Sequence, residues 1–289
     1  MRVTDKIISN GVARNINSSL RRLDKRYDEL SCGKRIRYPS DDPIRLISSL
    51  RLNDAINEAQ RYVDNSNAAM DWLNASDASL NEMNKSLLRL QTIAIAAANG
   101  DLPQSSFNAY ADEVHQLRGH ILQIANTQLG NRYLFAGQQT DRPAYDGNYD
   151  YQGDDNPVIM EVGPGIALEV SYPGSRIFAD FFAVLDKFET DIRNGNFLVV
   201  GRGDLDAINN YLERTLNNRS SIGAKVNRLE RSNERYFQLD GQFHKLLSEN
   251  EDIDIADSVM NLKMQESVYQ AALASGARVM QTNMLNFMR

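Results

Sequence analysis

The chain has 289 residues, 42% of them hydrophobic, which is enough apolar surface for a core and too much for a disordered protein. Its formal charge of −6 is unevenly spread: residues 1–45 carry 11 Lys/Arg against 6 Asp/Glu, and the remainder carries 21 against 32. The basic start rides on an amphipathic helical pattern without aromatic interleaving, which argues against a nucleic-acid binder. A single cysteine, Cys32, rules out an intramolecular disulfide. No apolar run approaches the roughly 18 residues that span a bilayer, and the start of the chain lacks the apolar core and cleavage site of a secretory signal peptide.

In chain order, Val12, Ile16, Leu20, Leu23, Tyr27 and Leu30 form one stripe of a first helix, with Arg21, Arg22, Lys25 and Arg26 on its other faces. The run Ser31-Cys32-Gly33-Lys34-Arg35 breaks it. Pro39-Ser40-Asp41-Asp42-Pro43 then writes a second helix start, with Asp42 as N-cap and Pro43 at the first helical position, where its missing N–H costs nothing. That helix is expected to run to about Asn99, with Ala69, Leu73, Ser76, Leu80, Met83, Leu87, Leu90 and Ala94 at heptad spacing and Gly100-Asp101-Leu102-Pro103 as terminator. The spacing of Phe107, Tyr110, Val114, Leu117, Ile121 and Ile124 predicts a third helix over about Ser106 to Leu129, antiparallel to the second.

Between Arg132 and Ile177 the period changes to two. Val158, Met160 and Val162 alternate with polar neighbours, Gly163-Pro164-Gly165 turns the chain, and Ile166, Leu168, Val170 and Tyr172 alternate back, which predicts a β-hairpin in a small β-rich module. A short helix over Phe178 to Arg193, a Gly-rich link from Gly195 to Gly203 and a helix of about 45 residues follow. An acidic hinge from Glu249 to Asp254 leads into the last helix. There Ile255, Val259, Leu262, Glu266, Tyr269, Leu273, Gly276, Met280, Asn283 and Phe287 alternate by four and three, a coiled-coil repeat with polar or empty positions.

The expected fold is mainly α: a long helical bundle or coiled coil formed by both chain termini, with a small β-rich module inserted in the middle, giving a rod whose two ends lie side by side. Its expected parts are a terminal coiled coil (residues 1–42 and 252–289), a helical bundle (43–131 and 203–251) and the β-rich module (132–202). One apolar stripe does not repay the ordering of a helix of this length. The terminal segments are therefore expected to be frayed in an isolated subunit and ordered when neighbouring copies cover them.

Candidate chemistry is sparse. His115 and His120 stand five apart on different helix faces, and neither they nor His244 belong to a metal-ligand spacing. Asp41-Asp42 ahead of Pro43, and Asp252 with Asp254, read as helix caps that complement the helix dipole. There is no GxGxxG, Walker or Ser-elbow sequence. No enzyme, cofactor or metal is expected, and a seam at each extreme of the chain favours assembly.

Specific residues carry a resemblance. Gly33-Lys34-Arg35-Ile36 followed by Pro39-Ser40-Asp41-Asp42-Pro43 resembles the signature after the first helix of bacterial flagellins and their hook-associated relatives. Ala96-Ala97-Ala98-Asn99-Gly100 is similar to the turn between that family's second and third helices. Ala125-Asn126 with Gly130-Asn131-Arg132-Tyr133-Leu134-Phe135-Ala136-Gly137 resembles the hook–filament junction members of the family more than flagellin itself. The run from Asp252-Ile253-Asp254-Ile255-Ala256 through Tyr269-Gln270-Ala271-Ala272-Leu273 to Leu285 is similar to its closing helix. The resemblance covers nearly the whole chain and is weakest over about 140–200.

It implies a structural subunit of the bacterial flagellum, exported unfolded by the flagellar type III apparatus and placed outside the cell as a ring of identical copies, between an adjacent hook-associated junction protein and the flagellin filament. It also implies an inner tube of terminal helices, an outer wall, an exposed knob, and a cytoplasmic export chaperone that binds the last helix. By position, Leu273, Met280, Leu285 and Phe287 are the expected packing and chaperone contacts, and Gly33, Lys34, Arg35, Ser40, Asp41, Asp42 and Pro43 the spoke joining tube to wall. Cys32, where Thr or Ser is usual, and the charged ending Asn286-Phe287-Met288-Arg289 depart from the family pattern. The competing readings are a flagellin and, from another class, a cytoplasmic helical scaffold or enzyme.

Overall fold

A computed structural model describes the backbone of residues 2–99 and 103–287; the side chains of residues 2–6, 8 and 279–287 lie outside that description. The expected terminator Gly100-Asp101-Leu102 also lies outside the described residues. Two units are distinguished: residues 1–57 with 240–289, and residues 58–239.

The described helices are α1 (Arg2–Cys32), α2 (Pro43–Ala98), α3 (Gln104–Ala125), α4 (Gly174–Ile177), α5 (Phe181–Arg193), α6 (Phe197–Val199), α7 (Leu205–Glu251) and α8 (Ile255–Phe287). Two antiparallel hairpins stand between α3 and α4: β1 (Gln128–Leu129) with β2 (Arg132–Tyr133), and β3 (Ile159–Gly163) with β4 (Ile166–Glu169). The mainly helical fold with a β-rich insertion is thus present.

In the 58–239 unit the heptad pattern of α2 does what its spacing dictates. Leu73, Leu80, Met83, Leu87 and Leu90 are buried in one core with Val114 and Ile121 of α3, Phe181 and Leu185 of α5, and Ile208 and Ile222 of α7. Ser76, polar at a seam position, satisfies itself by donating to the Trp72 carbonyl at 2.9 Å. Phe135, Tyr145, Phe178 and Phe182 make an edge-on aromatic cluster beneath the β-rich segment.

Two sequence expectations need correction. The third helix ends at Ala125, not near Leu129, because Asn126 leaves the helix and binds the Tyr145 backbone through both ends of its amide, at 2.8 and 2.9 Å. The residues after it form the β1–β2 hairpin around Gly130, whose φ of +62° suits glycine. The Gly-rich stretch 195–203 is not an open link: it coils into α6 and a π-helical turn, Val200–Asp204, held by Phe197 against Phe107 at 5.0 Å and by buried Val200. The hairpin read from Gly163-Pro164-Gly165 is present, with an irregular register between Glu161 and Gly163.

Candidate assembly interface

In the unit built from residues 1–57 and 240–289, α1 and α8 lie side by side. The more enclosed positions of α1 include Val12, Ile16, Ser19, Leu23 and Leu30; those of α8 include Ser258, Leu262, Gln265, Tyr269, Ala272 and Gly276. Both sets follow the four-and-three spacing of a coiled coil. Gly276 sets the closeness of the pair: a Cβ there would stand 2.9 Å from Val12 Cγ1 and 3.1 Å from Ile16 Cδ1. Tyr27 adds a hydrogen bond at the margin, its hydroxyl donating to Glu266 Oε1 at 2.5 Å. That bond raises the Tyr27 phenol, and together with Lys263 it lowers the Glu266 carboxyl.

The pairing leaves much apolar surface outside. Of the seam residues read from sequence, Leu23 and Leu262 are buried and Val12, Ile16, Leu30 and Tyr269 half-buried, whereas Leu20, Tyr27, Ile255, Val259 and Leu273 are exposed. The side chains of Met280, Leu285 and Phe287 lie outside the described residues. A second stripe was missed: Met260, 65% exposed, with Met264, 55% exposed, and Val268, standing four apart along α8. The spacing was visible in the sequence but was masked by the neighbouring heptad, which shares the same helix. Ile44, Ile47 and Leu50 at the start of α2 are likewise exposed. Contiguous exposed apolar side chains of this kind mark an interaction surface.

The segment between α1 and α2 is tied to the return of the chain. Gly33, at φ +71°, ends α1. Arg35 N–H then donates to the Glu251 carbonyl at 2.6 Å and Ile253 N–H to the Gly33 carbonyl at 3.1 Å, while Lys34 Nζ reaches Glu251 Oε2 at 2.7 Å. The Glu251 carboxylate raises the Lys34 ammonium. Asp41 accepts from Lys25 Nζ at 2.7 Å and from the Tyr38 N–H at 3.0 Å, and these bonds hold its carboxyl below the usual range. Asp42 caps α2 by accepting from Arg45 N–H at 3.1 Å, with Pro43 as first helical residue; Ser40 is exposed. Asp254 caps α8 in the same way through Ala256 N–H at 2.9 Å. Cys32 is exposed at the end of α1, its thiol 3.4 Å from the Lys34 carbonyl.

The polar side chains considered for chemistry are engaged elsewhere. His115 contacts Glu189 at 3.2 Å and His244 lies 3.7 Å from Asp240, both at the surface. Among the described residues no group of three or more His, Cys, Asp or Glu is arranged to hold a metal ion, and no helix is long and apolar enough to cross a membrane.

Comparison with known proteins places this geometry. Residues 3–140 match the bacterial flagellin N-terminal helical region. Flagellar hook-associated protein 3 of Escherichia coli strain K12 is 24% identical over 94% of this chain and 95% of its own length. Among solved structures, a flagellar hook-associated protein of Vibrio parahaemolyticus superposes with a TM-score of 0.68 at 21% identity, covering 73% of this chain and all of that one. The flagellar junction protein FlgL of Legionella pneumophila superposes with a TM-score of 0.58 at 15% identity, covering 70% of this chain and all of that one. The chain is thus similar to bacterial flagellins over its first 140 residues and to hook-associated protein 3 over nearly its full length.

Proposed function

We propose that this chain is the structural subunit that joins a hook-proximal junction protein to the flagellin filament, working outside the cell as a ring of identical copies and having no catalytic role. The observation that carries the reading is the α1–α8 pair: its two helices meet along one narrow seam yet keep Leu20, Ile255, Met260, Met264 and Leu273 on the outside. Such faces need neighbours. The full-length similarity to hook-associated protein 3 supports flagellar proteins as those neighbours.

On this reading residues 1–42 and 252–289 form the inner tube, 43–131 and 203–251 the wall, and 132–202 the exposed module. The terminal helices are marginal in a free subunit and become fully ordered against adjacent copies. The chain leaves the cell unfolded through the flagellar export apparatus, and the last helix, with Leu273, Met280, Leu285 and Phe287, is held beforehand by a cytoplasmic chaperone. Gly33 to Arg35 and Ser40 to Pro43 act as the spoke.

Deletion of the gene tests the proposal. The expected result is flagellin released unpolymerised into the medium from cells that retain hooks. Full-length filaments in the deletion strain would contradict the junction role.

A further inference from the structure

Two surface features of the 58–239 unit carry charged side chains that form no ion pair among the described residues. On α7, Arg228, Arg231 and Arg235 share one face and line a groove of about 300 Å³ floored by Val162, Ile166 and Leu229. Among the described residues none of the three forms an ion pair. Arg231 donates Nε to the Asn227 carbonyl at 3.1 Å, Arg235 stacks over Tyr236 at 5.2 Å, and Arg228 makes no polar contact with the described residues. The surroundings make this cluster unusual: residues 58–239 carry 16 Lys/Arg against 24 Asp/Glu. Three unpaired guanidinium groups over an apolar floor suit planar carboxylates, which they bind two-pronged.

The second feature has the opposite chemistry. A cleft of about 530 Å³ between the 145–151 loop and the start of α5 is walled by Tyr149 and Phe182 and carries Asp150, Asp180 and Asp186. Among the described residues only Asp186 has its carboxylate paired, with Arg118. Arg118 is 8% exposed, stacks over Tyr149 at 4.9 Å and keeps a buried Nε without an acceptor. Asp150 and Asp180 are exposed and form no ion pair among the described residues. The two non-glycine residues with positive φ among the described residues, Tyr149 at 67° and Ala179 at 30°, both border this cleft. Backbone held in such conformations tends to gather where a site is shaped for a ligand. Carboxylates beside aromatic rings are what an incoming guanidinium needs, since it hydrogen-bonds in its plane and stacks on its face.

We propose that the Arg228/Arg231/Arg235 groove of one copy docks against the Asp150/Asp180 cleft of a second copy. The contact joins two different patches, so it repeats head to tail, the arrangement that generates rings or helical arrays. It rests on the reading that copies of this chain stand side by side, and it names where on the 58–239 unit they touch. Charge complementarity between the two patches selects a second copy over an unrelated acidic ligand, because the same unit supplies both halves.

The full-length chain tests this by sedimentation velocity at low and high salt. Wild-type protein is expected to self-associate reversibly, and less so as salt screens the contact. Reversing one face, by Arg228→Glu with Arg231→Glu and Arg235→Glu, or the other, by Asp150→Lys with Asp180→Lys, is expected to weaken association by at least about tenfold, since like charges then oppose across the contact. Mixing the two variants, or combining both reversals in one chain, is expected to restore it. Wild-type protein that stays monomeric at low salt would overturn the proposal. So would single-face variants that associate like wild type, or a folded double-reversed chain that stays monomeric. If a reversal prevents folding, the neutral pair Arg231→Gln and Asp180→Asn decides, each expected to weaken association and overturning the proposal if it does not. A deletion strain with intact filaments removes the junction role and leaves this contact standing; failure of the charge reversals does the opposite.

Discussion

Asn126 illustrates how much a single amide does. It ends α3 and clamps the backbone N–H and carbonyl of Tyr145, a residue only 3% exposed. Asn126→Ala leaves both groups without a partner, and about 2–4 kcal/mol of the stability of the 58–239 unit is expected to go with them, measurable by urea unfolding. Asp204 tests the opposite situation. Burial raises its carboxyl, with Lys187 at 3.6 Å opposing and Asp191 adding to the rise. A native value above the unfolded one means that the protonated form is favoured by folding, so this stability is fully present below the unfolded value of about 3.9 and lost as pH rises through the native one. Asp204→Asn is therefore expected to match wild type in acid and to exceed it increasingly towards neutral pH; an advantage independent of pH in urea melts would refute this. The Asp42 cap was legible in the sequence because its partner is three residues away. The Asn126 clamp was not, because its partner stands across a loop that no periodicity describes.

Among the elements, α8 carries two faces with separable roles. Leu262→Asp puts a charge at a site 6% exposed and is expected to cost about 2–5 kcal/mol, unpairing α8 from α1 with a loss of helicity by circular dichroism. Met260→Asp with Met264→Asp alters only exposed positions and is expected to keep that helicity while abolishing assembly. Normal motility in the double variant would remove this face from the interface. Gly276→Leu is expected to push the helices apart at a cost of about 1–3 kcal/mol, seen as a lowered unfolding midpoint of the terminal unit. The long helices and the β3–β4 hairpin were readable because heptads and alternation are local signals. The 195–203 stretch was misread because its glycines spoke for a link, while Phe107, distant in sequence, holds Phe197 and keeps the segment coiled.

At the scale of the molecule, the mainly helical fold was legible from the apolar stripes, and the similarity to flagellar proteins from the Gly33-to-Pro43 signature and the Arg132-to-Gly137 motif. The second apolar stripe of α8 and the arginine and aspartate patches were not, since each depends on which side of an element the fold leaves uncovered. One feature of the terminal unit bears on how the protein is made. Tyr27 finds Glu266 across 239 residues of sequence, and Lys34 finds Glu251 across 217. Contacts of such sequence separation close late and slowly during folding. A nascent chain therefore holds α1 without its mate until α8 has been synthesised, and during that interval the start of the chain is open to proteases, holding factors and transport machinery alike.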